Sequence, residues 1–91
     1  MVAVTRVSHP IAFDTVYFHK VADELESATE KFGPFASAHE GLAVIEEEFL
    51  ELRSAVFWGV DQKGRPSDPY NEAVQLAAMA LRFMVDVGRA R

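Results

Sequence analysis

Cysteine is absent from this chain of 91 residues, which removes disulfides, thiolate zinc sites, iron–sulfur clusters and a thiol nucleophile from consideration. Basic residues are scarce: nine Lys and Arg against fourteen Asp and Glu leave a net charge of −5, and the nine form no dense run. A surface of that sign is repelled by nucleic-acid backbones and anionic membranes, so neither is an expected partner. No apolar stretch approaches the roughly 20 residues that span a bilayer. The opening residues Met1-Val2-Ala3-Val4-Thr5-Arg6-Val7 lack the basic start and long apolar core of a secretory signal, so a cytoplasmic protein is expected. Proline and glycine number only four and five, and those few act as punctuation between segments.

What is present is apolar. With 49% hydrophobic and 25% charged residues, the chain is too rich in buriable surface to stay disordered. A single domain over residues 1–91 should bury roughly 64% of the surface its unfolded form exposes, a marginal core. Stability must come from packing or from association.

Three helices are predicted, and the fold class is all-α. The first runs from about Asp14, a candidate N-cap, to Phe32, where Gly33-Pro34 stops it. Residues 1–13 form an N-terminal extension in which Val2, Val4 and Thr5 suit a short strand, although one strand makes no sheet without a partner. The second helix begins after Ser37, whose hydroxyl caps it while Glu40 reaches back to complete a capping box. It reaches Phe57 or Trp58, and Gly59 to Pro66 reads as a loop. Ser67-Asp68-Pro69 supplies a cap and a proline at the first helical position, and the third helix extends to about Val87 with Gly88 as terminator and Arg89 to Arg91 as a basic tail.

At about 100° per residue, Leu42, Ile45, Phe49, Leu52 and Val56 share one sector of the second helix, its expected core stripe. The third helix is apolar nearly all round, with alanines at 73, 77, 78 and 80 that permit close approach. Such a helix must be surrounded, which three helices of one chain do not achieve. A homodimer or homotetramer built as a helical bundle is therefore expected.

The acidic residues are placed oddly for mere solubility. Glu48 and Glu51 lie three apart and project from adjacent turns, and Glu48 sits only about 40° from Leu52, at the edge of the apolar stripe. On the third helix, Glu72 and Gln75 repeat the spacing and continue through Leu76, Met79 and Phe83. Acids crowded at a helix–helix boundary are reconciled by protonation, by a paired cation or by a shared metal. Oxygen ligands of this kind suit magnesium, with manganese as the alternative, and magnesium prefers to share itself with phosphate oxygens.

Glu47-Glu48-x-x-Glu51, a spacer of twenty residues and Glu72-x-x-Gln75 together resemble the signature of the MazG-like all-α nucleoside triphosphate pyrophosphohydrolases, Glu-Glu-x-x-Glu and then Glu-x-x-Asp. The flanking segments Lys31-Phe32-Gly33-Pro34-Phe35-x-Ser37-x-His39-Glu40-Gly41 and Glu72 to Ala80 are similar to a short branch of that superfamily, and the resemblance spans about residues 24 to 87. It implies hydrolysis between the α and β phosphates of a nucleotide, with release of monophosphate and pyrophosphate. It also implies Glu48, Glu51, Glu72 and Gln75 as metal ligands and Glu47 as a further ligand or the base that orients water. Gln75 stands where the family has aspartate, which lowers the site charge and should weaken metal affinity.

Two residues are weighed as substrate contacts. Arg82 aims along the Gln75 stripe toward phosphate or else pairs with Asp86 at i+4. His39, in the first turn of the second helix, donates to a ligand or else caps and packs. His19, Lys20 and the aromatics Tyr17, Phe18, Phe57 and Trp58 read as surface, core or interface, Asp86 is too far along the helix to share an ion with Gln75, and His9 carries no pattern. The alternative to an enzyme is a non-catalytic nucleotide-binding or oligomeric interaction module with a degenerate metal site.

Overall fold

The computed structural model describes residues 15–88, which form α1 (Thr15–Phe32), α2 (Ala38–Trp58) and α3 (Pro69–Asp86). The fold is all-α: among the described residues the only β pairing is an isolated bridge between Val60 and Pro66. The N-terminal extension, the Asp14 cap and the arginine tail lie outside the described residues.

The helix ends follow their local chemistry. Ser37 is extended (φ −161°, ψ 168°) and its Oγ accepts from the Glu40 amide at 3.1 Å, so one free donor of the first turn is satisfied. Glu40 returns the contact to the Ala36 amide, one residue earlier than a standard capping box. Gly59 ends α2 in the left-handed region at φ 71° and donates to Ala55, a conformation that costs glycine little. Asp68 Oδ1 accepts from the Tyr70 amide at 3.0 Å ahead of Pro69. At the other end α3 stops at Asp86, with Val87 rather than Gly88 as its cap.

α3 lies in the middle. α1 and α2 each pack against it and not against each other. Glu48 approaches Glu72 and the Gly41 backbone lies against Phe83, so α2 runs antiparallel to α3. The rings of Tyr17 and Tyr70 meet edge to face near the start of α1 and α3, and Arg82 reaches Gly33 near their ends, so these two are parallel. Ala28, Phe35, Ala78 and Met79 form the buried cluster, bordered by Val21, Leu25, Val44, Ile45, Phe83 and Val87.

The expected core stripe of α2 packs only along one edge, where Ile45 borders the buried cluster and Leu52 is partly buried. Leu42, Phe49 and Val56 remain 52%, 52% and 59% exposed, while Gly41 and Ala55 are buried and Val44, Glu48 and Leu52 are partly so. The reason is steric. A Cβ on Gly41 would stand 2.6 Å from Cδ2 of Phe83 and 3.0 Å from Cδ2 of Phe35, so both rings occupy the space a side chain would fill. α2 thus turns its smallest residues to α3 and carries Leu42, Phe49 and Val56 outward.

The third helix is likewise only partly surrounded, since Leu81, Met84 and Val85 stay exposed and no large side chain in the described chain is fully buried. Gly41→Ala should lower stability by about 1–2 kcal/mol through overpacking against the two rings, although alanine is the better helix former. A urea titration checks this, and an unchanged or raised midpoint would mean that the rings yield freely.

Candidate functional site

Because α1 and α2 straddle α3 without touching, a cleft of about 640 Å³ opens between them. α1 contributes Glu24, Ser27 and Lys31, α2 contributes Val44, Glu47 and Glu48, and α3 lays Gln75, Met79 and Arg82 along the floor. A second hollow of about 390 Å³ lies beyond Glu47 and Glu48, lined also by Leu50, Glu51 and Gln62. These two glutamates form the wall between the hollows.

Glu48 is the focus. Its carboxyl is pushed up to about 7, first by burial and then by the charges of Glu72, Glu51, Glu47 and Glu24. Desolvation and like charges both disfavour the ionised form. No cation among the described residues pairs with it. The rotation of α2 that hides Gly41 and Ala55 also points Glu48 at α3, so the acid is drawn inward by the packing of its smaller neighbours.

Glu51 and Glu72 are held from the loop between α2 and α3. Glu51 Oε1 accepts from the Gln62 amide at 2.9 Å, and Glu72 Oε2 accepts from the Ser67 hydroxyl at 2.6 Å. Asp61 shapes that loop by accepting from the amides of Lys63 and Arg65 at 2.8 and 2.9 Å and from Arg65 Nε at 3.0 Å. The Arg65 amide is the largest of the contacts that keep the Asp61 carboxyl below its ordinary value. The short loop therefore fixes the directions of one acid on each helix.

Of the expected ligands, Glu47, Glu48 and Gln75 line the cleft, Glu51 lines the second hollow, and Glu72 is in the lining of neither, although Glu47, Glu51 and Glu72 all lie close enough to Glu48 to act on its charge. As a donor set they suit a hard divalent cation, since all are oxygens and the central charge lacks a partner. As the side chains stand, no group of three or more His, Asp or Glu among the described residues could hold a metal ion. Each of these hydrogen bonds uses one carboxylate oxygen, so Glu51 Oε2 and Glu72 Oε1 make no hydrogen bond to the loop.

Arg82 is 5% exposed; its buried Nε makes no hydrogen bond, while the rest of the guanidinium has several partners. It donates to the Gly33 carbonyl, contacts Met79 Sδ at 3.9 Å, lies 3.5 Å from Asp86 Oδ2 and stacks 4.3 Å from the centre of the Phe35 ring. Asp86 in turn accepts from the Phe35 amide at 3.0 Å. Of the two roles weighed for Arg82, the pair with Asp86 is present, and the guanidinium fastens the α1–α2 connection to α3 at one end of the cleft. His39 is exposed on the first turn of α2 and is not among the residues that line the cleft.

Two residues of the site escape the motif reading. Glu24 adds to the acid field from α1, and Lys31 stands at the cleft as a cation. A signal existed: Glu24, Ser27, Ala28 and Lys31 recur at i, i+3, i+4 and i+7, one helical face, and all four line the cleft. No family model, curated protein or solved structure matches the chain.

The field around Glu48 predicts a pH dependence. Its folded value of about 7 exceeds the ordinary 4.5, so between those values the folded state keeps a proton that the unfolded chain has released. Stability then falls as pH rises through that window and levels off above it. Glu48→Gln should abolish this slope and be the more stable protein at about pH 8, by on the order of 1–2 kcal/mol once solvent screening of a half-exposed group is allowed for. Thermal melts in metal-free buffer at about pH 5 and about pH 8 measure both effects.

Proposed function

We propose that this chain is a MazG-like, magnesium-dependent nucleotide pyrophosphohydrolase, acting as a homodimer or homotetramer and cleaving a nucleoside triphosphate to monophosphate and pyrophosphate. One observation carries the reading: Glu48 lies half-buried where acids of all three helices converge, on the wall of a cleft, with no cation of the described chain beside it. Such a cluster costs folding free energy. A cation that arrives with its ligand would offset that cost, and magnesium that travels with phosphate is the natural candidate.

Glu48, Glu51, Glu72 and the amide oxygen of Gln75 would hold the ion, with manganese able to replace it. When bound, it would neutralise phosphate charge and lower the pKa of an attacking water. The chain's own contribution is position. Glu47, exposed on the rim, has a free carboxylate to align a water and take up its proton. Phe35, Val44 and Met79 give the cleft an apolar side that excludes bulk water, and a volume of about 640 Å³ falls in the range that encloses small ligands. The oligomer is supported by the large apolar side chains left on the surface.

A second reading, a non-catalytic nucleotide-binding or interaction module with a degenerate metal site, is favoured by a specific observation. Glu51 and Glu72 already have donors within the protein, and the fourth position is a neutral amide.

Incubation with a panel of canonical and modified nucleotides, with magnesium and manganese each supplied, separates the two. The enzyme reading expects pyrophosphate from at least one of them, loss of that activity in Glu48→Gln with helical content kept, and tighter magnesium binding in Gln75→Asp by about tenfold, as an added anionic ligand should give. No pyrophosphate from any nucleotide overturns it. Calorimetric heat on adding metal–nucleotide would then establish the binding module, and no heat would leave an interaction domain.

A further inference from the structure

The side of α2 turned away from the cleft carries a pattern of its own, with Ile45 and Leu52 partly buried at its inner edge and Ile45 bordering the core. Leu42, Ile45, Phe49, Leu52 and Val56 are separated by three, four, three and four residues, the a/d spacing of a coiled-coil seam. Phe49 and its neighbours Leu42 and Val56 are more than half exposed. By helical angle they point about 180° from Glu40 and Glu47, which line the cleft. Ala73, Ala80 and Met84 of α3, all exposed, turn away from Gln75, Met79 and Arg82 in the same manner. The two helices therefore form one apolar surface on the side opposite the cleft.

Size and charge say what covers it. Leu42, Phe49, Val56, Leu81 and Met84 are each between 40% and 61% exposed, large apolar side chains of the kind that fill the ~800 Å² each partner gives to a standard interface. A chain of net charge −5 meets its own copy only across a surface free of unmatched acids. The seam meets that condition, because Glu46 and Arg53 are exposed on its same flank, equidistant from a point between Phe49 and Leu50.

A two-fold axis at that point sets each Glu46 beside the second copy's Arg53. A parallel pairing would instead set Glu46 and Arg53 against the second copy's positions 41 and 48, and Gly41 and Glu48 both face α3 within their own chain. The guanidinium of Arg53 already lies along the outer flank, 4.9 Å from the centre of the Phe57 ring.

We infer that the chain pairs with a second copy of itself through an antiparallel α2–α2 seam centred near Phe49, with two reciprocal Glu46–Arg53 pairs fixing the register. The interface is isologous, each patch mating with its own image. It leaves both acidic clefts open on the outer sides, and it does not depend on what those clefts bind.

Sedimentation of the full chain at tens of micromolar tests this. The expected wild-type species is a dimer or a dimer of dimers. Phe49→Asp should be monomeric. Glu46→Arg and Arg53→Glu should each weaken association at low salt by at least about fivefold, since either reversal turns two attractions into two repulsions. The combined variant Glu46→Arg/Arg53→Glu should return to within about twofold of wild type. A monomeric wild type overturns the inference, as do single reversals without effect or a combined variant no tighter than either one. Should Phe49→Asp lose its helical circular dichroism, the three charge variants decide alone.

Discussion

The close approach of α2 to α3 governs the rest of this molecule. Gly41 offers no side chain where the Phe83 and Phe35 rings sit, and Ala55 keeps the same side slim about one turn from the helix end. Small residues at a helix crossing let backbones draw together and so decide which face turns inward. Once that face is chosen, Glu48 must point at α3 and the seam from Leu42 to Val56 must point away. The acid cluster and the bare apolar surface are two consequences of one rotation of α2. A larger residue at position 41 would work against both.

The connections between helices carry the second constraint. The turn after α1 is held by a cation: Arg82 grips the Gly33 carbonyl, stacks on Phe35 and pairs with Asp86, which itself takes the Phe35 amide. A buried charge is tolerated when several partners share it, and here those partners belong to the segment that must be fastened. The loop after α2 is tied through Asp61 and reaches Glu51 and Glu72 with an amide and a hydroxyl. Each connection therefore closes one end of a bundle that has little buried apolar surface of its own. Polar contacts of this sort specify geometry more than they add stability.

The helix boundaries were legible in the sequence because they rest on local chemistry. Ser37, Asp68, Pro69 and Gly59 do what their side chains or their lack of one allow, whatever the rest of the chain does. The proximity of Glu48 to Glu51 and Glu72 was legible for a similar reason: spacing by three is a property of one helix, and a short loop makes the next helix a neighbour. The packing face of α2 was legible only in part, since Ile45 borders the core while Leu42, Phe49 and Val56 stay exposed. Periodicity ranks faces by hydrophobicity, and the strongest stripe is taken for the core. In this chain the stripe beside it, built on Gly41, Val44 and Ala55, fits α3 more closely, and close fit prevailed over apolar area. Arg82 was half legible, since its i+4 pairing with Asp86 follows from spacing while its grip on Gly33, 49 residues away, follows only from the fold. Glu24 was missed because it belongs to a helix with no share in the motif.

An apolar stripe displaced from the core raises the question of why it is kept. A solvated face of a small acidic protein is served by charged residues, as Glu46 and Glu47 beside the stripe illustrate, and exposed leucine, phenylalanine and valine in register carry a standing risk of aggregation. That risk is lowered when the surface has a defined mate. Pairing through α2 also fits the marginal core of the single chain, because no large side chain among the described residues is fully buried and a second copy adds apolar burial. On this view the outer part of the face that was read as the interior is an interior after all, completed by a second molecule, while the intrachain contact is made by small residues, Val44, Ile45 and one acid. The arrangement frees α2 to serve two surfaces at once: outward, a seam for its own copy, and inward, a carboxyl whose charge the described chain leaves unmatched.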